Sequence, residues 1–166
     1  LFGRLARDER DIAVHFLVDM SNSTAGWVGK SIKEALVLIC EAMEMLNDRY
    51  GIYGFSGMRR LRCEIFPVKR LDERYSAAVR ERISAIGPRE YTRMAPAIRH
   101  MTSLFARVEA KVRLLIILSD GKPEDYDDYK GEYAIEDTRH ALLEAKTRGI
   151  HPFCITIDRQ AHEYMA

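Results

Sequence analysis

Asp19, Ser21 and Ser23 stand at every second position of "VDMSNST", residues 18 to 24, directly after an apolar run. Alternate residues of an extended chain point the same way, so this spacing presents one carboxylate and two hydroxyls to a single point. Oxygen-only donors of that kind suit a hard cation. Magnesium takes about six oxygens in a tight octahedron and keeps some of its water, which fits a site of few carboxylates and several hydroxyls. A second aspartate, Asp120 in "LSDGKPED", follows the most apolar stretch of the chain. If the strands before Asp19 and Asp120 are parallel neighbours, their carboxylates meet in one crevice. Two carboxylates only just balance a divalent ion, so an open coordination position would accept a carboxylate from another molecule. Two plainer readings stay open: Ser21, Ser23 and Thr24 are also helix N-cap residues, and "SDGKP" is ordinary turn chemistry.

Elements that could hold these residues in place are legible on either side. Ile12 to Val18 and Val112 to Leu118 are short apolar runs suited to strands buried on both faces. Ile32, Leu36, Ile39, Met43 and Leu46 keep helical spacing over Lys30 to Tyr50, a helix expected to break at Gly51. "YGIYGFSG" and "RCEIFPV" read as a strand hairpin turning at Gly57 to Arg60. Further helices are predicted over Asp72 to Ile86, capped by Asp72; over Ala95 to Lys111, with Pro96 harmless in the first turn; and over Tyr133 to Arg148, stopped by Gly149. Pro152 to Ile157 is the last predicted strand. The alternation implies an α/β, Rossmann-like doubly wound fold: a mostly parallel central sheet, one antiparallel edge strand and helices on both faces. Ligands of such sheets bind beyond the strands' carboxyl ends, so function is expected in the loops after Val18, Leu118 and Ile157.

Composition removes several classes. The 166 residues suffice for one domain without staples, and 26 basic residues interspersed with 25 acidic ones argue against a nucleic-acid module. Cys40, Cys63 and Cys154 lie in apolar patterns without C-x-x-C spacing, and read as reduced packing residues of a cytoplasmic protein. The run Leu114 to Leu118 is far short of the roughly 20 apolar residues of a membrane span. The start at Leu1 suggests a fragment of a longer protein.

D-x-S-x-S after the first strand, Thr92 in "YTRMAPAIRH", and S-D-G after an apolar strand together resemble the metal-ion-dependent adhesion site of von Willebrand factor A domains. That resemblance implies five metal positions: Asp19, Ser21, Ser23, Thr92 and Asp120. With "GFSG", "GEYAIEDTRHALLEA" and "PFCITIDRQAHEY" included, the chain is similar from about Asp11 to Tyr164 to the C-terminal A domain of the NorD and CbbO proteins. Residues 1 to 166 are then one such domain, the C-terminal part of a longer chain. Ala95 departs from the family pattern, standing where glycine is expected and stiffening the loop after Thr92. The family also usually carries one more strand and helix than this sequence supplies. The resemblance implies a non-catalytic adaptor that binds Mg2+, with Mn2+ or Ca2+ as alternatives. Its implied partners are a hexameric MoxR-type AAA+ ATPase and a client metalloenzyme, nitric oxide reductase or rubisco, gripped through a carboxylate that completes the metal's coordination.

Competing chemistry fits less well. A haloacid-dehalogenase-type phosphotransferase using Asp19 as nucleophile wants an acid two residues on, where Ser21 lacks a usable pKa. A secreted adhesion domain is the other alternative, disfavoured by the absence of a signal sequence. "GFSG" lacks the final glycine of a nucleophile elbow, Met58 standing there, and reads as a strand-edge turn. No phosphate-binding G-x-x-x-x-G-K-[ST] loop occurs. Glu124 to Glu136 fails as an EF-hand because Tyr129 takes a ligand position and Gly131 is one place late. That stretch reads first as a solvated acidic loop and secondarily as a contact rim anchored by Tyr126, Tyr129 and Tyr133; Trp27 is either a packed helix-start residue or an exposed contact, and Arg59, Arg60 and Arg62 form either a solvated edge that discourages strand pairing or a contact for an acidic partner. The five histidines show no ligand spacing and read as core or surface residues.

Overall fold

The computed structural model describes residues 11–19, 27–57, 63–86, 94–119 and 131–156. In chain order the elements are β1 (Ile12–Asp19), α1 (Trp27–Leu46), β2 (Arg49–Gly57), β3 (Cys63–Lys69), α2 (Ala77–Ser84), α3 (Met94–Phe105), β4 (Val112–Ser119), α4 (Gly131–Thr147) and β5 (Ile150–Thr156). The two most apolar runs become the middle of the sheet, whose order is β3-β2-β1-β4-β5. β1 pairs in parallel with β2 and β4, β4 pairs in parallel with β5, and β2–β3 is the antiparallel hairpin.

Successive side chains of a strand point to opposite faces, and β1 divides the core accordingly. Ala13 and Leu17 join Ile98, Met101 and Phe105 of α3 and Ala141 and Ala145 of α4 on one face. Val14, Phe16 and Val18 join Ile32, Leu36 and Cys40 of α1 and Val79 and Ile83 of α2 on the other. Burial on both faces is why β1 and β4 carry no polar alternation.

Several boundaries move, each for a local reason. α1 ends at Leu46 rather than Tyr50, because Asn47 takes a left-handed conformation (φ 59°) that closes the helix. Tyr50 is thereby released into β2 and buried. Asp72 does not cap α2, which begins five residues later after Ser76. Beside Asp72, Glu73 accepts the Arg70 N–H (3.1 Å) and the Arg82 guanidinium (2.7 and 2.9 Å) in the turn after β3. α3 stops at Phe105 rather than Lys111, where Arg113 of β4 donates to the Phe105 carbonyl (3.0 Å). Gly54–Gly57 lies within β2 rather than at a turn. Gly149 does end α4, at φ 76°. Pro152 falls inside β5, paired with Leu115; β5 is an edge among the described residues, where a missing N–H is tolerated. Cys40 packs in the core as expected, whereas Cys154 is exposed.

Candidate metal centre

β1 and β4 are separated by more than ninety residues of chain yet stay in register from Ile12↔Val112 to Val18↔Leu118. One further step sets Asp19, the last residue of β1, level with Ser119, the last residue of β4, and Asp120 comes next. Adjacent strands lie about 4.8 Å apart, so the carboxyl ends of β1 and β4 stand side by side. On its other flank Asp19 is level with Phe55 of β2, which is fully buried. α3 has matching polarity: Arg113, near the start of β4, holds the last carbonyl of α3, so this helix runs back along the sheet from Met94. Thr92 is two residues before Met94.

Of the five predicted metal residues, Asp19 has its main chain in β1; its side chain, and Ser21, Ser23, Thr92 and Asp120, lie outside the described residues. So do Tyr126, Tyr129, Arg59, Arg60, Arg62 and the acidic stretch before α4, and the side chains of Trp27 and Tyr133. Among the described residues no group of three His, Cys, Asp or Glu could hold a metal. Ala95 corrects an expectation: it is the second residue of α3 and fully buried, so its methyl packs in the core rather than stiffening a loop.

Beneath these strand ends the sheet holds two buried polar groups. His15, 2% exposed, sits edge-on to Tyr53 (ring centroids 5.4 Å) and against Phe105 (4.2 Å), with neither ring nitrogen hydrogen-bonded. Burial, aided by the charge of Lys69, pushes its pKa down to about 4, so the imidazole is neutral. Core or surface was the expected reading for the histidines, and His15 takes the first. Lys69 escaped it: the last residue of β3 reads as a solvated strand end but is buried. Its ammonium donates to the carbonyls of Tyr50 (2.7 Å) and Arg70 (3.2 Å) and lies 3.9 Å from the Tyr50 ring centroid. Burial lowers the Lys69 pKa, opposed chiefly by Glu44. Tyr50 donates its hydroxyl to Glu44 (2.9 Å), and burial raises its pKa. On the opposite face Arg99 ties α3 to α4 through Asp137 (2.8 Å) and Glu144 (3.2 Å), Asp137 being the larger cause of its raised pKa.

With that framework in view the class is defined. Residues 13–165 match the family model described as von Willebrand factor type A domain, and the chain belongs to that family. The fold agrees with a solved von Willebrand factor type A structure from Catenulispora acidiphila: TM-score 0.61 and 18% identity, covering 87% of this chain and 32% of that one. Among curated proteins it is 44% identical to an uncharacterised Pseudomonas aeruginosa protein over 162 residues, 94% of this chain and 26% of the relative. It is 38% identical to the protein NorD of Stutzerimonas stutzeri over 171 residues, 99% of this chain and 28% of that protein. The chain thus spans about a quarter of the length of these relatives. Its family makes it an interaction domain and not an enzyme. Among the described residues no helix is long and apolar enough to cross a membrane.

Proposed function

We propose that this domain is a magnesium-dependent protein-binding adaptor, in which Asp19, Ser21, Ser23, Thr92 and Asp120 hold the ion. The observation that supports the reading is the parallel pairing of β1 with β4 through Val18↔Leu118; Asp19 ends the first of these strands, and Asp120 follows the second in sequence. A five-oxygen set with two carboxylates fits a hard divalent cation, magnesium before manganese or calcium. The bound ion supplies an electrophilic position for a carboxylate oxygen. The chain's own residues do the rest: Asp19 and Asp120 balance the charge, while the neutral hydroxyls of Ser21, Ser23 and Thr92 complete the donor set without quenching it. The likeness to NorD extends the proposal to the partners: a MoxR-type AAA+ ATPase and a client metalloenzyme, nitric oxide reductase or rubisco, one of which supplies the acid, in the cytoplasm.

The test is titration calorimetry with MgCl2 on the wild type and Asp19→Ala, followed by pull-down of the ATPase and the client with and without EDTA. Binding lost in Asp19→Ala, and a pull-down abolished by EDTA and restored by magnesium, are expected. Asp19 is the last residue of β1, and the metal-free melting temperature of Asp19→Ala should stay within a few degrees of wild type. A variant that takes up magnesium as the wild type does would refute the site.

A further inference from the structure

Two lines of residues, each repeating at seven, run along the outer surface of α1 and take no part in the core. One is apolar: Leu38 and Met45 point away from Ile32, Leu36, Cys40 and Met43, the buried side of the helix, and are 66% and 89% exposed. The other is acidic: Glu34 and Glu41, both exposed. Seven residues are about 10 Å of helix, two turns, so the two members of each line share a face. Beside them a groove of about 480 Å³ runs between α1 and α2, lined by Lys33, Glu34, Val37, Leu38, Ile83 and Ser84.

The surrounding charges leave this stretch acidic. Glu44 is a third carboxylate, accepting from the Tyr50 hydroxyl (2.9 Å), and Asp48 follows the helix. The last turn of α1 contains no basic residue to offset the negative end of the helix dipole. Of the cations nearby, Lys33 donates to the Ser84 carbonyl (2.9 Å), Arg49 pairs with Asp11 (3.0 Å), and Arg80 of α2 lies over the Tyr75 ring with Glu81 next to it in sequence. Lys30 precedes Glu34 by one turn, so only the N-terminal approach to the stretch is basic.

We propose that this face docks an amphipathic helix of a partner protein, which sets apolar residues seven apart on Leu38 and Met45 and Lys or Arg seven apart on Glu34 and Glu41. The period decides for a helix: a second helix has the same rise, so its residues i and i+7 meet both lines together. An extended segment advances about 3.3 Å per residue, so about 10 Å is three residues, and the third points to the opposite face. The charge decides for a partner over a second copy. From Glu34 to Leu46 α1 contains no basic residue, so another α1 brings only like charge to Glu34 and Glu41. Because β1 and β2 are parallel, α1 runs back along the sheet, and Leu38 to Met45 lie toward the strand ends opposite Asp19. Docking here is therefore independent of the metal reading.

The test uses the 166-residue chain in EDTA with 13C-methyl methionine, the Met45 resonance being identified by its loss in Met45→Leu. The probe is a synthetic helical peptide of three heptads, Leu at the two core positions and Lys at the flanking ones. A saturable displacement of the Met45 methyl is expected, with the buried Met94 and Met101 methyls unmoved as evidence of an intact fold. Glu34→Lys/Glu41→Lys should weaken this binding at least tenfold and confer binding of the same peptide with Glu in place of Lys. A Met45 methyl that the Leu/Lys peptide leaves in place, or that the Leu/Glu peptide or a strictly alternating Leu-Lys peptide displaces equally in the wild type, overturns the proposal. So does a doubled mass by light scattering that Met45→Glu reduces to the monomer, since the occupant would then be a second copy.

Discussion

Replacing His15 by leucine should make the domain markedly less sensitive to acid. The imidazole packs against Tyr53, Phe105 and Gly51, and among the described residues the charge acting on it is the Lys69 ammonium. Neither of its nitrogens has a partner that would stabilise the protonated form. Its pKa therefore falls from 6.5 in the unfolded chain to about 4 in the fold. Between these values the unfolded state binds the extra proton, so the neutral buried ring is fully compatible with folding above pH 6.5. That compatibility is lost progressively as pH falls toward 4. At about 1.36 kcal/mol per pKa unit, the full loss is about 3 kcal/mol, a large part of a small domain's stability. Urea unfolding of wild type and His15→Leu at intervals from pH 7.5 to 4 measures it. Carboxylates titrating in both proteins cancel in the difference, leaving a gap that widens in favour of leucine by about 3 kcal/mol toward pH 4. A gap that stays level across that range would show that His15 is hydrated or partnered in the fold, and would refute the reasoning.

Arg113 holds the last carbonyl of α3 and that of Arg148 just beyond α4, so Arg113→Met should destabilise by on the order of 2 kcal/mol in urea unfolding, the loss of charge-assisted bonds at two helix ends. A methyl on Gly51 would lie 2.7 Å from His15 Cδ2 and 3.2 Å from the Lys69 carbonyl. Gly51→Ala should therefore cost about 1–3 kcal/mol, and a double-mutant cycle with His15→Ala should show positive coupling. Magnesium should raise the melting temperature of the wild type but not of Asp19→Ala, because only a folded state that holds the ion gains from it; differential scanning fluorimetry in MgCl2 and in EDTA checks this.

Much of this domain could be read from local chemistry. Largely apolar runs such as Ile12–Val18, broken by a single polar residue, His15, declare a strand buried on both sides, because no regular polar alternation marks a wet face. Gly149 ends a helix because it alone takes φ 76° without strain. Boundaries were less legible where two local rules competed. Helical periodicity carries through to Tyr50, but Asn47 can adopt the left-handed turn, and burying an aromatic ring in β2 outweighs another turn of helix. Asp72 has the chemistry of a cap, yet the ion pair of its neighbour Glu73 with Arg82 belongs to a turn that only α2 packed against β3 creates. Local sequence cannot state which strands become neighbours, because pairing β1 with β4 means closing a long loop, and the return comes only when both faces are buried together. That adjacency of β1 and β4, and the burial of Lys69 against the Tyr50 ring, were decided by tertiary packing alone.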